Sequence, residues 1–334
     1  SWTLGFFNID AMPFVNITPG IALTPSGTAG AITVTANSDV FYPAHNGAGL
    51  RLRGKSGVIT TVNGPRSVGV NMTDTLPDIA ATYDWAEHAF SAARGWPVCG
   101  CFHQSRLVLG GSREMPNRLW LSRTGDIRNF DPGTGLDDQG IEFALMSDQV
   151  NAIRGVFSGR HLQVFTSGAE WMVTGDPLTP SSIQLHRQTR IGSPVARMIP
   201  PVDVDGQTIF VARGGTGVYE FAYTDVADAY QANDLAILAR HIVRAPVATA
   251  YDSTTRLLHV VMSDGSLASL TQFRAEGVTA WARQETDGAF RAVAETEGRV
   301  YAVIERAGTH RLERFDAATG LDAALSGTAA MPRA

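Results

Sequence analysis

From Val98 onward the sequence repeats itself at a steady interval, and this repeat restricts the fold more than any other feature. Successive units open with "VCGCFHQSRLVLGGS", "VNAIRGVFSGRHLQVFTSG", "ARMIPPVDVDGQTIFVARGG", "PVATAYDSTTRLLHVVMSDG" and "AFRAVAETEGRVYAVIERAG". Each reads as an apolar strand, a polar turn, a basic or polar residue, a second apolar strand and a glycine-bearing turn. Most add a third strand: "RLWLSR", "AEWMVTG", "VYEFAY", "LASLTQF" and "HRLERF". The starts lie roughly 45 to 53 residues apart, the interval of four-stranded propeller blades or similar meanders. In "RVYAVIER", Val300, Ala302 and Ile304 share one face while Tyr301, Val303 and Glu305 share the other. Strands apolar on both faces suit blades packed between neighbouring blades, whereas a lone sandwich would alternate more cleanly. Five units are few for closure, so missing ones are expected upstream of Ser1 or from the first segment.

The stretch before the repeat has a different texture. "AITVTAN", "AGLRLRG", "GVITTVNG" and "SVGVNM" are short alternating runs broken by Gly, Asn and Pro, which predicts a small antiparallel sheet domain over residues 1–91. "DWAEHAFSAARGWP" reads either as one short helix or as an extended connector, placed at residues 92–97. Blades are expected over 98–325 and a flexible tail over 326–334. The fold class is therefore all-β: a β-propeller body with a small β-sandwich or barrel-like domain inserted.

A chain of 334 residues buries roughly three quarters of its unfolded surface, so no staples are needed to complete a core. Its formal charge is -5 and Lys55 is the only lysine, a poor match to a surface that coats phosphates generically. A weakly acidic wall past which DNA slides stays open. Cys99 and Cys101 fall on one face of a strand and are expected as buried thiols rather than metal ligands, since no second Cys or His pair stands at ligand spacing. No run of 18 apolar residues and no leader is visible, so neither a membrane span nor a secretion signal is predicted. A start on "SWTLGFF" suggests an internal or processed piece of a longer chain.

"SRTGD" is the most turn-like element within the first unit. Gly125 can take a positive φ and Asp126 can accept from backbone donors, so Arg123, Gly125 and Asp126 are expected to form a structural corner, with Arg123 paired to Asp126. A catalytic reading would join Ser122 to His103 or His161, but no strand-elbow-helix motif surrounds Ser122. The version worth testing uses Asp126, Asp131 and His103. A calcium loop over Asp131, Asp137, Asp138 and Glu142 has the right length, but Gly135 and Leu136 stand where a ligand and the turn glycine are wanted. "ARGGTG" at Ala212–Gly217 lacks the lysine of a phosphate loop and reads as a hairpin turn. His259 reads as a structural histidine. Trp120, Trp171, Tyr219, Phe273 and Trp281 recur in the third-strand region, either as core between blades or as a stacking platform for sugars or bases. No catalytic residue, cofactor or firm metal site is expected.

Over most of its length the chain resembles a known family. "FHQSRLVLGG", "RLWLSRTGDIRNFDPGTGLDDQGIEFALMSDQVNAI", "TSGAEWMV", "PLTPSSIQLHRQTRIGS" and "IFVARGGTGVYEFAYTDVADAYQANDLAILARHI" follow one another in the order seen in the tail nozzle, or tail hub, proteins of short-tailed bacteriophages, also called tail tubular protein B or packaged-DNA stabilisation proteins. "ALTPSGTAGAITVTANSDVFYPAHNGAGLRL" is similar to that family's inserted β domain. The resemblance implies a virion tail protein, six copies of which form a ring beneath the head-to-tail adaptor. Such a ring continues the DNA channel, retains packaged DNA and opens for ejection. It also implies contacts with the portal complex and with fibres, spikes or a needle. Family members usually carry a longer N-terminal region, so either this chain is a fragment or a second polypeptide completes the wheel. The family supplies no catalytic residues. Residues Gly175–Ser182 and Tyr223–Asp234 are expected as loops for ring contacts or a gate. A β-propeller module for glycan or peptide recognition is the alternative.

Overall fold

The computed structural model describes residues 9–146, 151–274 and 276–316. The first strands are β1 (Phe14–Val15), β2 (Leu23–Pro25), β3 (Gly30–Ala36), β4 (Gly49–Leu52), β5 (Lys55–Gly64), β6 (Ser67–Met72) and β7 (Trp85–His88). They form one antiparallel sheet in the order β1-β7-β4-β5-β6-β3-β2. An isolated bridge between Leu23 and Thr82 brings β2 to the segment entering β7, so the sheet curls back on itself like a barrel. The alternation predicted the inward face: in β3, Ile32, Val34 and Ala36 are buried and the intervening threonines are exposed. Those residues join Leu50, Ile59 and Trp85 in one core. "DWAEHAF" is β7, not a helix, because Trp85 and Glu87 point inward at strand spacing.

Then the repeat becomes visible. Blade one comprises β8 (Cys99–His103), β9 (Arg106–Gly110), β10 (Arg118–Leu121) and β11 (Ile141–Ala144). Blade two comprises β12 (Ile153–Ser158), β13 (Leu162–Thr166), β14 (Glu170–Thr174) and β15 (Gln184–Thr189). Blade three comprises β16 (Val202–Val204), β17 (Gln207–Val211), β18 (Val218–Thr224) and β19 (Ala229–Asp234). Blade four comprises β20 (Pro246–Asp252), β21 (Leu257–Met262), β22 (Leu267–Phe273) and β23 (Val278–Gln284). A three-stranded sheet follows, with β24 (Ala289–Thr296), β25 (Arg299–Arg306) and β26 (Thr309–Arg314). Every one is an antiparallel meander with neighbours in sequence order, so the fold is all-β and of the β-propeller type. The tail expected over 326–334 lies outside the described residues.

Burial within a blade follows strand position. The second strands β9 and β13 are buried at every residue, whereas the fourth strands β15 and β23 are largely exposed. An inner strand is covered on both faces and is mainly apolar, with its few polar residues such as Arg106 and Gln163 buried too; an outer strand is not so covered. The first strands β12, β20 and β24 each carry a register shift near their start. Such a bulge bends the strand at the same point of three blades, which is further evidence of a structural repeat.

Backbone contacts divide the chain into two compact units. One holds the curled sheet and the first two blades as far as Arg187; the other holds Ser167–Glu170 and everything from Gln188. In the first, Val15, Phe90, Leu107, Leu109, Trp120 and Phe130 form a core of their own. In the second, Val204, Ile209 and Val218 of blade three meet Leu258, Val260 and Leu270 of blade four. Among the described residues no helix is long and apolar enough to cross a membrane.

Candidate functional site

Residues 122–140, between β10 and β11, are far longer than a hairpin needs, and a buried arginine organises them. Arg106, 1% exposed, donates from Nη1 to the carbonyls of Ser122 and Gln139 and from Nη2 to that of Asp137, each at 2.6 Å. Burial lowers its pKa, with the Asp138 charge opposing. Within the wrap, Gln139 Oε1 accepts from the amides of Thr134, Gly135 and Leu136 at 2.7 to 2.9 Å. The outward excursion thus has its backbone polar groups satisfied by two side chains.

The corner sits at the start of this wrap. Gly125 has φ +75° with open space around its α-carbon, and its amide donates to the Ser105 carbonyl at 2.9 Å. Arg123 and Asp126 meet through the main chain only, Asp126 N donating to Arg123 O at 3.3 Å. The expected ion pair is therefore replaced: Arg123 Nη2 binds Asp138 Oδ2 at 2.9 Å and holds that carboxyl below its ordinary pKa. Asp126 Oδ1 accepts instead from the Arg128 amide at 3.3 Å. A turn places side chains i and i+3 according to its backbone, and here that geometry favours a partner across the wrap.

The calcium reading fails on the same geometry. Asp131 Oδ1 caps the Gly133 amide, Asp137 offers its carbonyl to Arg106, Asp138 is paired to Arg123 and Glu142 to Arg118. Among the described residues no three His, Cys, Asp or Glu side chains gather as a metal site. The nucleophile reading is not assembled either. Ser122 Oγ accepts from Leu107 N at 2.9 Å and donates to Arg123 O at 3.1 Å, while His103 Nδ1 lies 2.8 Å from Ser158 Oγ. Burial and the neighbouring His161 lower the His103 pKa.

The remaining candidates fall as follows. Trp120 and Trp171 are buried, and Tyr219, Phe273 and Trp281 are half-buried, so none is fully exposed. Trp281 lies on a fourth strand, not a third, with Nε1 donating to Leu235 O at 2.8 Å. "ARGGTG" is the β17–β18 turn, closed by Ala212 N to Gly217 O at 3.0 Å. His259 Nδ1 is 2.9 Å from Ser269 Oγ on the adjacent strand. Cys99 and Cys101 are half-buried rather than buried, and burial pushes both thiols up to about 12.

Of the two loops singled out, Tyr223–Asp234 is mainly strand: it is the β18–β19 hairpin, with Phe221 and Tyr230 stacked at 4.5 Å. Gly175–Ser182 is a loop, but a pinned one. Gln104 donates to Gly175 O at 3.2 Å and accepts from Leu178 N at 2.7 Å. That role is invisible in the sequence, since Gln104 merely follows a strand there. Gln104 and Ser105 both have positive φ, +44° and +60°. The equivalent two-residue turns elsewhere place glycine second: Arg53-Gly54, Asp205-Gly206, Glu297-Gly298 and Ala307-Gly308.

Two buried carboxylates are also placed only by the fold. Burial raises the pKa of Glu87, but hydrogen bonds from His45 and Arg94 outweigh it and leave the carboxyl below its ordinary value. Glu170 ends above it: burial dominates the opposing hydrogen bonds from Thr189 and the amides of Ile191 and Gly192. Both sit in closed, fully engaged surroundings that serve the fold.

No family model matches the sequence, and no curated protein matches it. Among solved structures the chain is similar to a chain of the nidogen/laminin complex, at 10% identity over 89% of this chain and 92% of that one, with a TM-score of 0.40. It is similar to BamB from Moraxella catarrhalis at 12% identity over 88% and 91%, TM-score 0.39. YCF48 bound to D1 peptide matches at 14% identity over 65% and 66%, TM-score 0.41.

Proposed function

We propose that the chain is a non-catalytic binding module built on propeller blades, and that its partner is a protein or peptide. One observation carries this reading. Most of the polar groups named as nucleophile, base or ligand are held by structural partners, while large apolar side chains stand exposed near the outer strand of blade three. In the connection after β19, Ala236, Ala239 and Val243 anchor the segment in the core and Ile237 and Leu238 face solvent, Leu238 at 91% exposure. Val226, at the tip of the β18–β19 hairpin, is fully exposed. Adjacent exposed apolar groups such as Ile237 and Leu238 on a well-packed scaffold are what a protein contact uses, and Val226 stands at the other end of β19. A glycan would want open aromatic faces, and of the third-strand aromatics Trp120 and Trp171 are buried and Tyr219 and Phe273 half-buried.

A more specific reading is the tail nozzle of a short-tailed phage. It is favoured by the ordered run of family-like motifs from "FHQSRLVLGG" to "AILARHI". On this reading copies of the chain form a ring, with six expected, by head-to-tail contacts whose rotation closes. The ring docks on the head-to-tail adaptor, carries fibres or a needle and passes DNA without reading its sequence. A net charge of -5 suits a conduit, because each neutralised phosphate adds affinity and slows transit. Negative-stain electron microscopy of the protein alone and with the adaptor ring of its particle tests both. A sixfold ring with an axial hole supports the nozzle; isolated particles that ignore the adaptor leave only the binding module. If Ile237→Asp with Leu238→Asp abolishes neither assembly nor partner binding, the proposed contact surface is wrong.

A further inference from the structure

A cleft of about 290 Å³ opens between the curled sheet and the wrap of blade one, and nothing in the preceding reading uses it. One wall is built by β1, β4, β5 and β7. The other is the Asp131 turn, to which the segment before β1 is zipped by Phe130 N to Ala11 O at 2.9 Å and Asp10 N to Arg128 O at 3.0 Å. The volume equals that of roughly ten liquid waters, room for a small organic molecule but not a large one.

Its charges are unusual in being uncompensated. Arg51 lies with its guanidinium carbon 4.0 Å from the centroid of Phe14, and it forms no ion pair among the described residues. Its Nε is buried and has no hydrogen-bond partner. A buried orphan donor on a guanidinium is costly, and with Nε out of reach it is the Nη1–Nη2 edge that can grip a carboxylate in parallel. Two carboxylates, Asp10 and Asp131, line the same cleft. His88, stacked edge-on against Phe14 at 4.7 Å, accepts the Gly49 amide on Nδ1; burial and the Arg51 charge lower its pKa, so it adds no positive charge at neutral pH. The lining therefore offers one fixed cation and two anions around an apolar floor of Met12, Phe14 and Val58. A phosphate or dicarboxylate would meet Arg51 but be repelled by the two acids. A ligand with one carboxylate, two cationic groups and a methylene stem complements all of it.

We propose that this cleft binds a free basic amino acid, with the α-carboxylate on Arg51 and the α-ammonium and side-chain cation facing Asp10 and Asp131.

Calorimetric titration of the full chain with L-lysine tests it, alongside L-norleucine, which lacks the ε-ammonium, and cadaverine, which lacks the carboxylate. Saturable binding of lysine, with both analogues at least about tenfold weaker, is expected. Arg51→Met should weaken lysine at least about tenfold. Because Arg51 also packs on Phe14, exposed Asp10→Asn provides a variant with little effect on folding, and it too should weaken lysine. The tripeptide Gly-Gly-Lys, whose C-terminal lysine has a neutral amide in place of the α-ammonium, should bind more weakly than lysine. No saturable binding of lysine up to about 10 mM, or equal binding of norleucine or of the tripeptide, overturns the proposal.

Discussion

Arg106 and its neighbour Leu107 both bond to Ser122. The guanidinium donates to the Ser122 carbonyl at 2.6 Å, and Ser122 Oγ accepts from the amide of Leu107, next to Arg106, at 2.9 Å. The two residues thereby join the beginning of the second strand to the end of the third and fix where the long wrap departs.

Arg106→Met keeps the bulk but removes the donors to three carbonyls. A buried acceptor left without a partner, the Ser122 carbonyl, costs about 1–3 kcal/mol, and water recovers much of the loss at the exposed Asp137 and half-buried Gln139, so a loss of about 2–4 kcal/mol is expected. Urea denaturation reads it; a midpoint within error of wild type would mean that the wrap holds without Arg106.

Gly125→Val should cost more than about 1 kcal/mol, since the site is sterically open but its φ of +75° is strained for a β-branched residue. Gly125→Asn should cost less, because Asn tolerates the left-handed region. Equal midpoints for the two variants would contradict the backbone as the cause.

Ser105→Gly is expected to stabilise. Ser105 pays for a positive φ that glycine adopts freely at the same place in the other two-residue turns, and relief of about 1 kcal/mol follows if the hairpin keeps its form. A raised Tm, with Gln104 still pinning Gly175–Ser182 by amide exchange, is the expected result.

The two buried glutamates should give opposite pH dependences. Glu87 has a lowered pKa in the folded chain, so its contribution is complete above the ordinary carboxyl value of 4.5 and is lost as pH falls through the lowered one. Glu170 has a raised one, so its contribution is complete below 4.5 and is lost as pH rises through the raised value. Subtracting the unfolding free energies of Glu87→Gln and of Glu170→Gln from wild type, over about pH 3 to 8, should give curves of opposite slope. Parallel curves would show that one environment has been misassigned.

Cys99 and Cys101, both pushed up to about 12 by burial, should alkylate slowly in the native state. At pH 8 the thiolate fraction is about a thousandfold below that of an unfolded thiol, and iodoacetamide labelling should fall accordingly unless urea is added. Rapid native labelling would show that β8 opens readily.

The strands of the blades were legible because local pattern encodes them. "RLVLG" is apolar on both faces and "AITVTA" on one, and a strand's side-chain period converts that directly into a buried inner strand and a half-buried barrel strand. Glycine second in "RG", "DG" and "EG" marked the tight turns for the same reason: the φ requirement is local. Arg106, Gln104, Arg51 and Glu170 carried no such mark. Each is an ordinary polar residue whose partners lie 16 to 33, 71 to 74, 37 or 19 to 22 positions away, and only the packed chain brings them together. Arg123 shows the limit most directly. Its neighbour in sequence, Asp126, looked like its partner, and the wrap gave it Asp138, 15 residues on. Hydrophobic periodicity is a property of neighbours along the chain and so survives in the sequence; the pairing of charges depends on which distant backbones the fold has made adjacent, and that only the tertiary structure decides.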